Sequence, residues 1–256
     1  MANTLNIGIL PQEIMGFLRR DLKLKSIYRD IIAQRIIQQV AEESGQVVAD
    51  TEVQQELDAL VYDYQLDRPA QLIPWAADRL ATLDDIRQRI AEKLLFQKVA
   101  RHLFLAQVQE QFNTHNRDFQ TISLYKILVP YESLAREIFY QIEEEEISFF
   151  EAAHIYDIDE TRRLRCGFEG RMQRWQLPLD LADLLRDIAV GAVVGPRPAD
   201  RGYSMLLLVD ELVEPEQTPE TLDQRIDYLF QDWLTHHLAT YLNHLREDPH
   251  GQISDM

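Results

Sequence analysis

The hydrophobic positions in the first part of the chain recur at the spacing of amphipathic helices. Between residues 11 and about 112, apolar side chains return every three or four positions, and glycine is nearly absent. This period places the apolar side chains of each segment on one face, which indicates helices packed around a core. The expected helices are one that ends at Gly45, one that begins near Thr51, one near residues 68–80 and a long one at 83–112.

The pattern changes after Asp118. The run ISLYKILVP at residues 122–130 is short, β-branched and apolar, which is typical of a strand. A second run of this kind, GYSMLLLVDEL, closes the segment at residues 202–212. Between the two runs we expect helices at about 131–143, 147–155 and 178–189. This order of elements indicates a small α+β unit of about 95 residues.

Residues 218–246 predict one further amphipathic helix. Pro219 follows Thr218, and this pair is typical of a helix N-terminus. The apolar stripe of the helix includes Leu222, Ile226, Phe230, Leu234 and Leu238. No neighbouring segment can bury this stripe, so we expect it to pack against the N-terminal helices. A homodimer interface in the helical region is the alternative.

Composition and charge exclude several classes of protein. The 256 residues carry a formal net charge of −17, which would repel a phosphate backbone, so we expect no nucleic-acid partner. A hydrophobic content of 46% is enough for a packed core and argues against a disordered chain. The single cysteine, Cys166, excludes an intrachain disulfide.

The sequence lacks the usual motifs for metals, nucleotides and membranes. It contains no phosphate-binding glycine loop, no hydrolase motif and no histidine pair with metal-ligand spacing, so we expect no metal and no cofactor. No stretch approaches the roughly 18 apolar residues of a membrane span, and the N-terminus differs from a secretory signal. We therefore expect a cytoplasmic protein without a membrane span.

Several short motifs between residues 121 and 213 together resemble the parvulin (PpiC-like) family of peptidyl-prolyl isomerases, the rotamase type found in SurA-like and PrsA-like chaperones. The motifs are YKILVP at 125–130, Tyr156 with Asp159, CGFEG at 166–170, Gly191 with Gly195 and Pro196, and GYSMLLLV at 202–209. The interval of 21 residues from Gly170 to Gly191 also agrees with the family pattern.

The resemblance implies an α+β fold with an inserted domain. A helical SurA-like N-terminal domain would span residues 1–118, and a parvulin-like domain would span 119–213. That domain would contain a four-stranded antiparallel sheet flanked by helices, with the YKILV and YSMLLLV strands adjacent. The segment 214–256 would supply a C-terminal helix that packs on the helical domain and completes it.

The resemblance also places candidate site residues, and two of them depart from the family. Parvulins usually carry one histidine just before ILV and another after G-Y, where this chain has Lys126 and Ser204. Asp159 matches the family's central acid, and Tyr203 lies beside the second histidine position. Lys126 and Ser204 could equally be ordinary strand residues at a lost active site, and Asp159 could be a helix cap.

Apolar side chains match the family's proline pocket. The matching residues are Leu177 and Leu181, with Met172 nearby, and the Met and Phe usual in that pocket are thus replaced by smaller side chains. An arginine cluster beside this pocket could receive an acidic peptide or a phosphate, or could be a solvated loop paired with the chain's own acids. The cluster consists of Arg162, Arg163, Arg165, Arg171 and Arg174.

The resemblance implies a SurA-like chaperone that binds unfolded or extended proline-containing polypeptides. Because both family histidines are replaced, we expect weak or absent peptidyl-prolyl isomerase activity. Two alternatives stay open: a non-catalytic adaptor that binds one partner protein, and an active isomerase with an altered site.

Overall fold

The structure is a computed structural model that describes residues 8–64 and 71–247, and for residues 242–247 it describes the backbone alone. The chain forms two compact units. The first contains the described residues up to Ala106 and from Asp223 onward, and the second contains Gln107–Leu222. The second unit is therefore inserted between two parts of the first.

Helices build the first unit. They are α1 (Pro11–Arg20), α2 (Leu24–Ser44), α3 (Asp50–Asp63), α4 (Leu72–Ala77), α5 (Leu83–Thr114) and α10 (Pro219–Glu247), of which the last two continue into the second unit. Gly45 ends α2 in the left-handed conformation, at a φ of 68°, as its position in the sequence predicts. The helix expected near 68–80 is shorter in the described residues, and part of its expected range lies outside them.

The apolar stripe of α10 packs on α5. The Phe230 ring contacts the Phe96 ring edge-on, with 4.5 Å between ring centroids. The Arg101 side chain donates hydrogen bonds to both carboxylate oxygens of Asp223, at 2.7 and 3.0 Å. These contacts bury the stripe in the way that its spacing predicts. The expected α+β fold, with a helical part completed by a C-terminal helix, is confirmed.

The second unit is built on one antiparallel sheet. Its strands are β1 (Thr121–Val129), β2 (Phe168–Gln173), β3 (Val193–Pro198) and β4 (Ser204–Val213), in the spatial order β2-β1-β4-β3. The YKILV and YSMLLLV runs are adjacent, since Tyr125 pairs with Leu208 and Val129 with Ser204. The expected four-stranded antiparallel sheet is therefore present.

The sheet has an apolar core on each face. On one face, alternate residues of β1 and β4 pack against α6 (Glu132–Glu143) and α7 (Phe149–Tyr156). On the other face, Leu124, Leu207 and Val209 pack with residues that follow β2 and with α9 (Leu179–Leu184). A short helix, α8 (Glu160–Leu164), lies between α7 and β2.

Helix α9 is shorter than the sequence predicts. The expected helix spans about 178–189, but the observed helix ends at Leu184. Leu185 is fully buried in the core of this face, and its carbonyl oxygen accepts a hydrogen bond from Arg174 Nη1 at 2.6 Å. The guanidinium of Arg174 thus donates to a carbonyl oxygen that a longer helix would pair with a backbone N–H. Local sequence patterns do not reveal such a donor, because Arg174 lies 11 positions away.

No helix in the described residues is long and apolar enough to cross a membrane.

Candidate functional site

The sheet face that packs against α9 carries the predicted pocket residues. Leu177 is buried, and Met172 and Leu181 are half-buried against the same apolar cluster. Met172 is positioned by β2, where it pairs with Ile122 of β1. The structure therefore brings together three side chains that lie up to nine positions apart in the sequence.

A chain of ion pairs lies beside this apolar cluster. Lys126 pairs with Leu207, so sheet alternation places its side chain on the face that carries the cluster. Lys126 Nζ lies 3.6 Å from Glu169 Oε1, and Glu169 Oε2 accepts a hydrogen bond from Arg162 Nη1 at 3.1 Å. The ammonium group at the first histidine position is thus already paired with a carboxylate.

Arg162 and Asp157 form the buried end of the ion-pair chain. Arg162 donates from Nε to Asp157 Oδ2 at 2.6 Å and from Nη2 to Asp157 Oδ1 at 2.8 Å. The Asp157 side chain is fully buried, and the Arg162 side chain is 11% exposed. Burial opposes the positive charge of Arg162, but the hydrogen bonds and charges of Asp157 and Glu169 outweigh it and raise the pKa of the guanidinium.

Backbone hydrogen bonds attach the loop after α7 to the sheet. The Ile158 N–H donates to the Leu128 carbonyl of β1 at 3.0 Å, and the Asp159 N–H donates to Asp157 Oδ1 at 2.9 Å. The buried Asp157 side chain therefore holds both Arg162 and the backbone of the loop. This arrangement fixes Asp159 relative to Lys126.

Asp159 is the N-cap of α8. Its Oδ1 accepts a hydrogen bond from the Arg162 N–H at 2.9 Å, which satisfies a free donor at the helix start. This hydrogen bond, together with the positive charges of Arg162 and Lys126, lowers the pKa of the Asp159 carboxyl. The carboxylate is therefore ionised at neutral pH and already bonded on one oxygen.

The pKa of Asp159 should lie below its value of about 3.9 in an unfolded chain. A carboxyl group whose pKa is lowered by folding stabilises the protein at pH values above its pKa in the unfolded chain. This stabilisation is lost as the pH falls through its pKa in the folded protein. An NMR titration of the carboxyl carbon checks the shift. Asp159→Asn should retain the cap but lose this acid dependence, whereas Asp159→Ala should lose the cap at all pH values. A pKa at or above the unfolded value would contradict the capping role.

Ser204 does not lie beside Lys126. Ser204 pairs with Val129, and sheet alternation places both side chains on the face that packs against α6 and α7. Lys126 is three positions from Val129 and faces the opposite side. Ser204 is buried, whereas Tyr203, just before β4, is half-buried. The two histidine positions therefore cannot form one hydrogen-bonded pair in this chain.

Arg174 has a separate position in the fold. It is buried, and its Nη1 donates to the carbonyl oxygens of Leu185 and Arg186, at 2.6 and 3.2 Å. Burial is the main cause of a lowered pKa for its guanidinium. Arg174 therefore anchors the chain after α9 and is not accessible to an acidic ligand from solvent.

The remaining members of the arginine cluster do not form one surface with Arg174. Arg162 is occupied by Asp157 and Glu169. Arg171 is exposed, with its Nη2 3.9 Å from a carboxylate oxygen of Glu211. Arg163 is half-buried and Arg165 is exposed. A role for Arg163, Arg165 and Arg171 in binding an acidic ligand stays a prediction.

Sequence patterns missed Asp157 and Glu169, which organise the ion-pair chain. Asp157 lies next to the motif residue Tyr156, and Glu169 lies inside the CGFEG motif. The one available signal was the presence of acids beside Arg162 in a strongly acidic chain. Such acids are common on surfaces, so the sequence does not distinguish a buried partner from a solvated one.

Gly167 allows the close approach of β2 to the rest of the domain. Its φ is 90°, and an added Cβ would lie 2.9 Å from the Ala153 Cβ and 3.2 Å from the Lys126 carbonyl oxygen. The Lys126 N–H donates to the Gly167 carbonyl at 2.8 Å. The glycine kept from the family's turn motif thus sets the spacing between Lys126 and the β2 side of the site.

Among the described residues, no group of three or more His, Cys, Asp or Glu side chains has an arrangement suitable for a metal ion.

Comparison with known proteins gives a structural match without a sequence match. No protein-family model matches the chain, and no curated protein matches it either. Among solved structures, the peptidylprolyl isomerase PrsA from Bacillus anthracis is 17% identical, with a TM-score of 0.51. The match covers 85% of this chain and 97% of that one.

Two further matches span nearly the whole chain at lower scores. PrsA from Bacillus cereus is 16% identical with a TM-score of 0.44, over 98% of this chain and 93% of that one. A SurA-like chaperone from Campylobacter jejuni, of the pair PEB4 and Cj1289, is also 16% identical, with a TM-score of 0.34. It matches over 96% of this chain and 95% of that one.

The match to the Bacillus anthracis protein extends over both compact units. At this level of identity the similarity is one of fold. The chain has a parvulin-like architecture similar to that of PrsA, and the resemblance seen in the sequence motifs is confirmed at the level of fold.

Proposed function

We propose that this protein is a SurA-like, parvulin-type chaperone that binds extended, proline-containing polypeptide segments and has weak or no isomerase activity. The proposal rests on one observation: an apolar cluster lies beside polar side chains that already have hydrogen-bond or ion-pair partners within the protein. Lys126 is paired with Glu169, Arg162 with Asp157, and Asp159 caps α8.

The apolar cluster supports peptide binding. Met172 and Leu181 are half-buried and pack against the cluster that contains the buried Leu177, so part of their apolar surface is available to a ligand. Burying apolar surface contributes about 25 cal/mol per Å², and a proline ring is a compact apolar group. An extended peptide could therefore place a proline ring on this cluster.

The polar groups argue against efficient catalysis. The barrier to rotation about a peptide bond is about 18–20 kcal/mol, and an isomerase must favour the twisted amide over both planar forms. The paired Lys126 ammonium cannot act as a neutral imidazole does, and Ser204 faces the other side of the sheet. No side chain at the two histidine positions is therefore free to adjust the charge on the amide.

The Bacillus anthracis protein is a peptidylprolyl isomerase, and the match to it supports the fold on which this proposal rests; the weak activity and the peptide binding are inferred from the side chains alone. An adaptor for one partner protein and an active isomerase with an altered site are the competing functions. The cytoplasmic location and a homodimer through the helical region also stay predictions.

Isomerase turnover on a short proline peptide should lie far below that of an active parvulin, measured side by side. Restoring both histidines, with Lys126→His and Ser204→His, should raise it only modestly, because the surrounding hydrogen bonds serve other partners. A high rate in the unmodified protein that collapses on Asp159→Ala would contradict the proposal and favour the active isomerase.

Binding is tested separately with an unfolded proline-rich polypeptide as the probe. Leu181→Asp should weaken binding at least tenfold, because it places a charge on the apolar cluster. Leu179→Asp is the matched control, since Leu179 lies in the same helix but is 85% exposed. Melting temperatures of both variants separate lost binding from lost folding. If the unmodified protein binds no unfolded polypeptide, the chaperone function is wrong and the adaptor is favoured.

A further inference from the structure

Helix α1 presents an apolar face that the described residues do not cover. No residue of the helix is buried. Leu10 is 60% exposed, Ile14 is 50% exposed and Phe17 is 55% exposed, and they recur at the i, i+4, i+7 spacing that forms one helical stripe. Met15 extends the same face and is 44% exposed, whereas Leu18 is half-buried. Leu22 follows the helix and is 86% exposed.

The segment around α1 carries a net positive charge, whereas the chain as a whole is strongly negative. Residues 8–29 contain five basic and two acidic side chains, a net charge of +3, whereas the whole chain carries −17. The other residues therefore sum to −20. The basic residues, all exposed, are Arg19, Arg20, Lys23, Lys25 and Arg29. This local excess of positive charge coincides with the uncovered apolar face.

The basic side chains also have the positions expected in a helix that lies in the plane of a membrane interface. At 100° per residue, Arg19 and Arg20 lie on the two borders of the apolar arc and not opposite its centre. Their long apolar stems can follow the apolar face while the charged ends stay in water. Lys23 Nζ lies 5.9 Å from the centre of the Phe17 ring and also pairs with Asp21 Oδ2 at 2.5 Å.

We propose that α1 docks the protein on an anionic lipid surface, with Leu10, Ile14 and Phe17 inserted at the level of the headgroups. An amphipathic helix with bulky apolar residues on one face and basic residues beside that face binds such surfaces in the plane of the interface. Juxtamembrane basic residues add to the attraction of anionic headgroups. The chain as a whole carries −17 and is repelled by the same lipid, so the contact needs a segment such as α1, where positive charge and an uncovered apolar face coincide.

A second copy of the chain is a less suitable occupant of this face. A symmetric dimer brings the same surface of two copies together, so Arg19 and Arg20 of one copy would approach those of the other. Two segments of charge +3 would then repel each other. An anionic lipid surface instead complements the charge over the entire segment.

Vesicle binding of the full chain tests the proposal. The probes are vesicles of phosphatidylcholine alone and vesicles that also contain about one-third phosphatidylglycerol, compared by co-sedimentation at low and high salt. We expect binding to the anionic vesicles, at least tenfold weaker binding to the neutral ones, and weakening by salt. Arg19→Gln with Arg20→Gln should reduce the affinity for anionic vesicles several-fold.

A matched pair of variants separates the contribution of the apolar face to vesicle binding from the contribution of net charge. Ile14→Asp and Gln12→Asp make the same change in net charge within one helix, on opposite faces. Ile14→Asp should lower the affinity for anionic vesicles at least tenfold, and Gln12→Asp should lower it no more than threefold. Equal effects of the two variants, or no binding of the unmodified protein, would overturn the proposal. Sedimentation velocity showing a dimer that Ile14→Asp dissociates, without vesicle binding, would assign the face to a second copy. The isomerase and peptide-binding assays do not depend on this result.

Discussion

Replacing Phe230 with alanine should lower the free energy of unfolding by about 3–5 kcal/mol, the usual range for removing a buried aromatic ring. Phe230 is fully buried, and its ring stacks on Trp233 with 5.3 Å between centroids. The same ring makes edge contacts with Phe96 and Phe104 of α5. The substitution therefore leaves a cavity where α10 packs against α5.

Urea denaturation followed by circular dichroism and tryptophan fluorescence measures this loss. Tyr241→Ala in the same helix is the control, because Tyr241 is 48% exposed and should change stability by no more than about 0.5 kcal/mol. Phe230→Leu should have an intermediate effect, since it retains part of the buried volume. A Phe230→Ala variant as stable as the control would show that α10 does not complete the core of the helical part.

Replacing Asp157 with alanine should lower the free energy of unfolding by about 3–5 kcal/mol, because it leaves Arg162 as a nearly buried charge without its principal partner. The substitution also removes the acceptor for the Asp159 N–H. The loop that positions Asp159 should therefore become less protected in amide hydrogen exchange. This second readout distinguishes a local opening of the site from a general loss of stability.

A double-mutant cycle isolates the ion pair. Arg162→Met alone should also destabilise the protein, but the double variant with Asp157→Ala should lose less than the sum of the two single losses, because no unpaired charge stays buried. The exposed pair of Arg117 and Asp187 is the control, and Asp187→Ala should change stability by less than about 1 kcal/mol. Additive effects of Asp157→Ala and Arg162→Met would show that the two side chains are not coupled.

The family resemblance placed Met172, Leu177 and Leu181 at one pocket, and the structure brings these apolar residues into one cluster. Their role in binding a peptide stays a prediction. The sequence did not predict on which face of the sheet the Ser204 side chain lies. It depends on which residue of β1 pairs with it, and a change of register by one position would turn it to the other face.

The length of α9 shows a second limit of local patterns. Its apolar residues continue at helical spacing to Ile188, so the sequence predicts a helix to residue 189. The helix ends at Leu184 because Leu185 is drawn into the core and Arg174 occupies the carbonyl oxygens that follow. Tertiary contacts of this kind outweigh a difference in helix propensity of a few tenths of a kcal/mol per residue.

By itself, the sequence determined the long helices and the strands β1 and β4, because hydrophobic periodicity and glycine positions act within a few residues of each other. Only the tertiary structure decided which charges are paired and which polar groups remain available. Lys126, Asp157, Arg162 and Glu169 come from four different elements or loops, and their pairing depends on how those segments meet. The strength of each pair then depends on burial, since the same charges interact weakly in water and strongly when water is excluded.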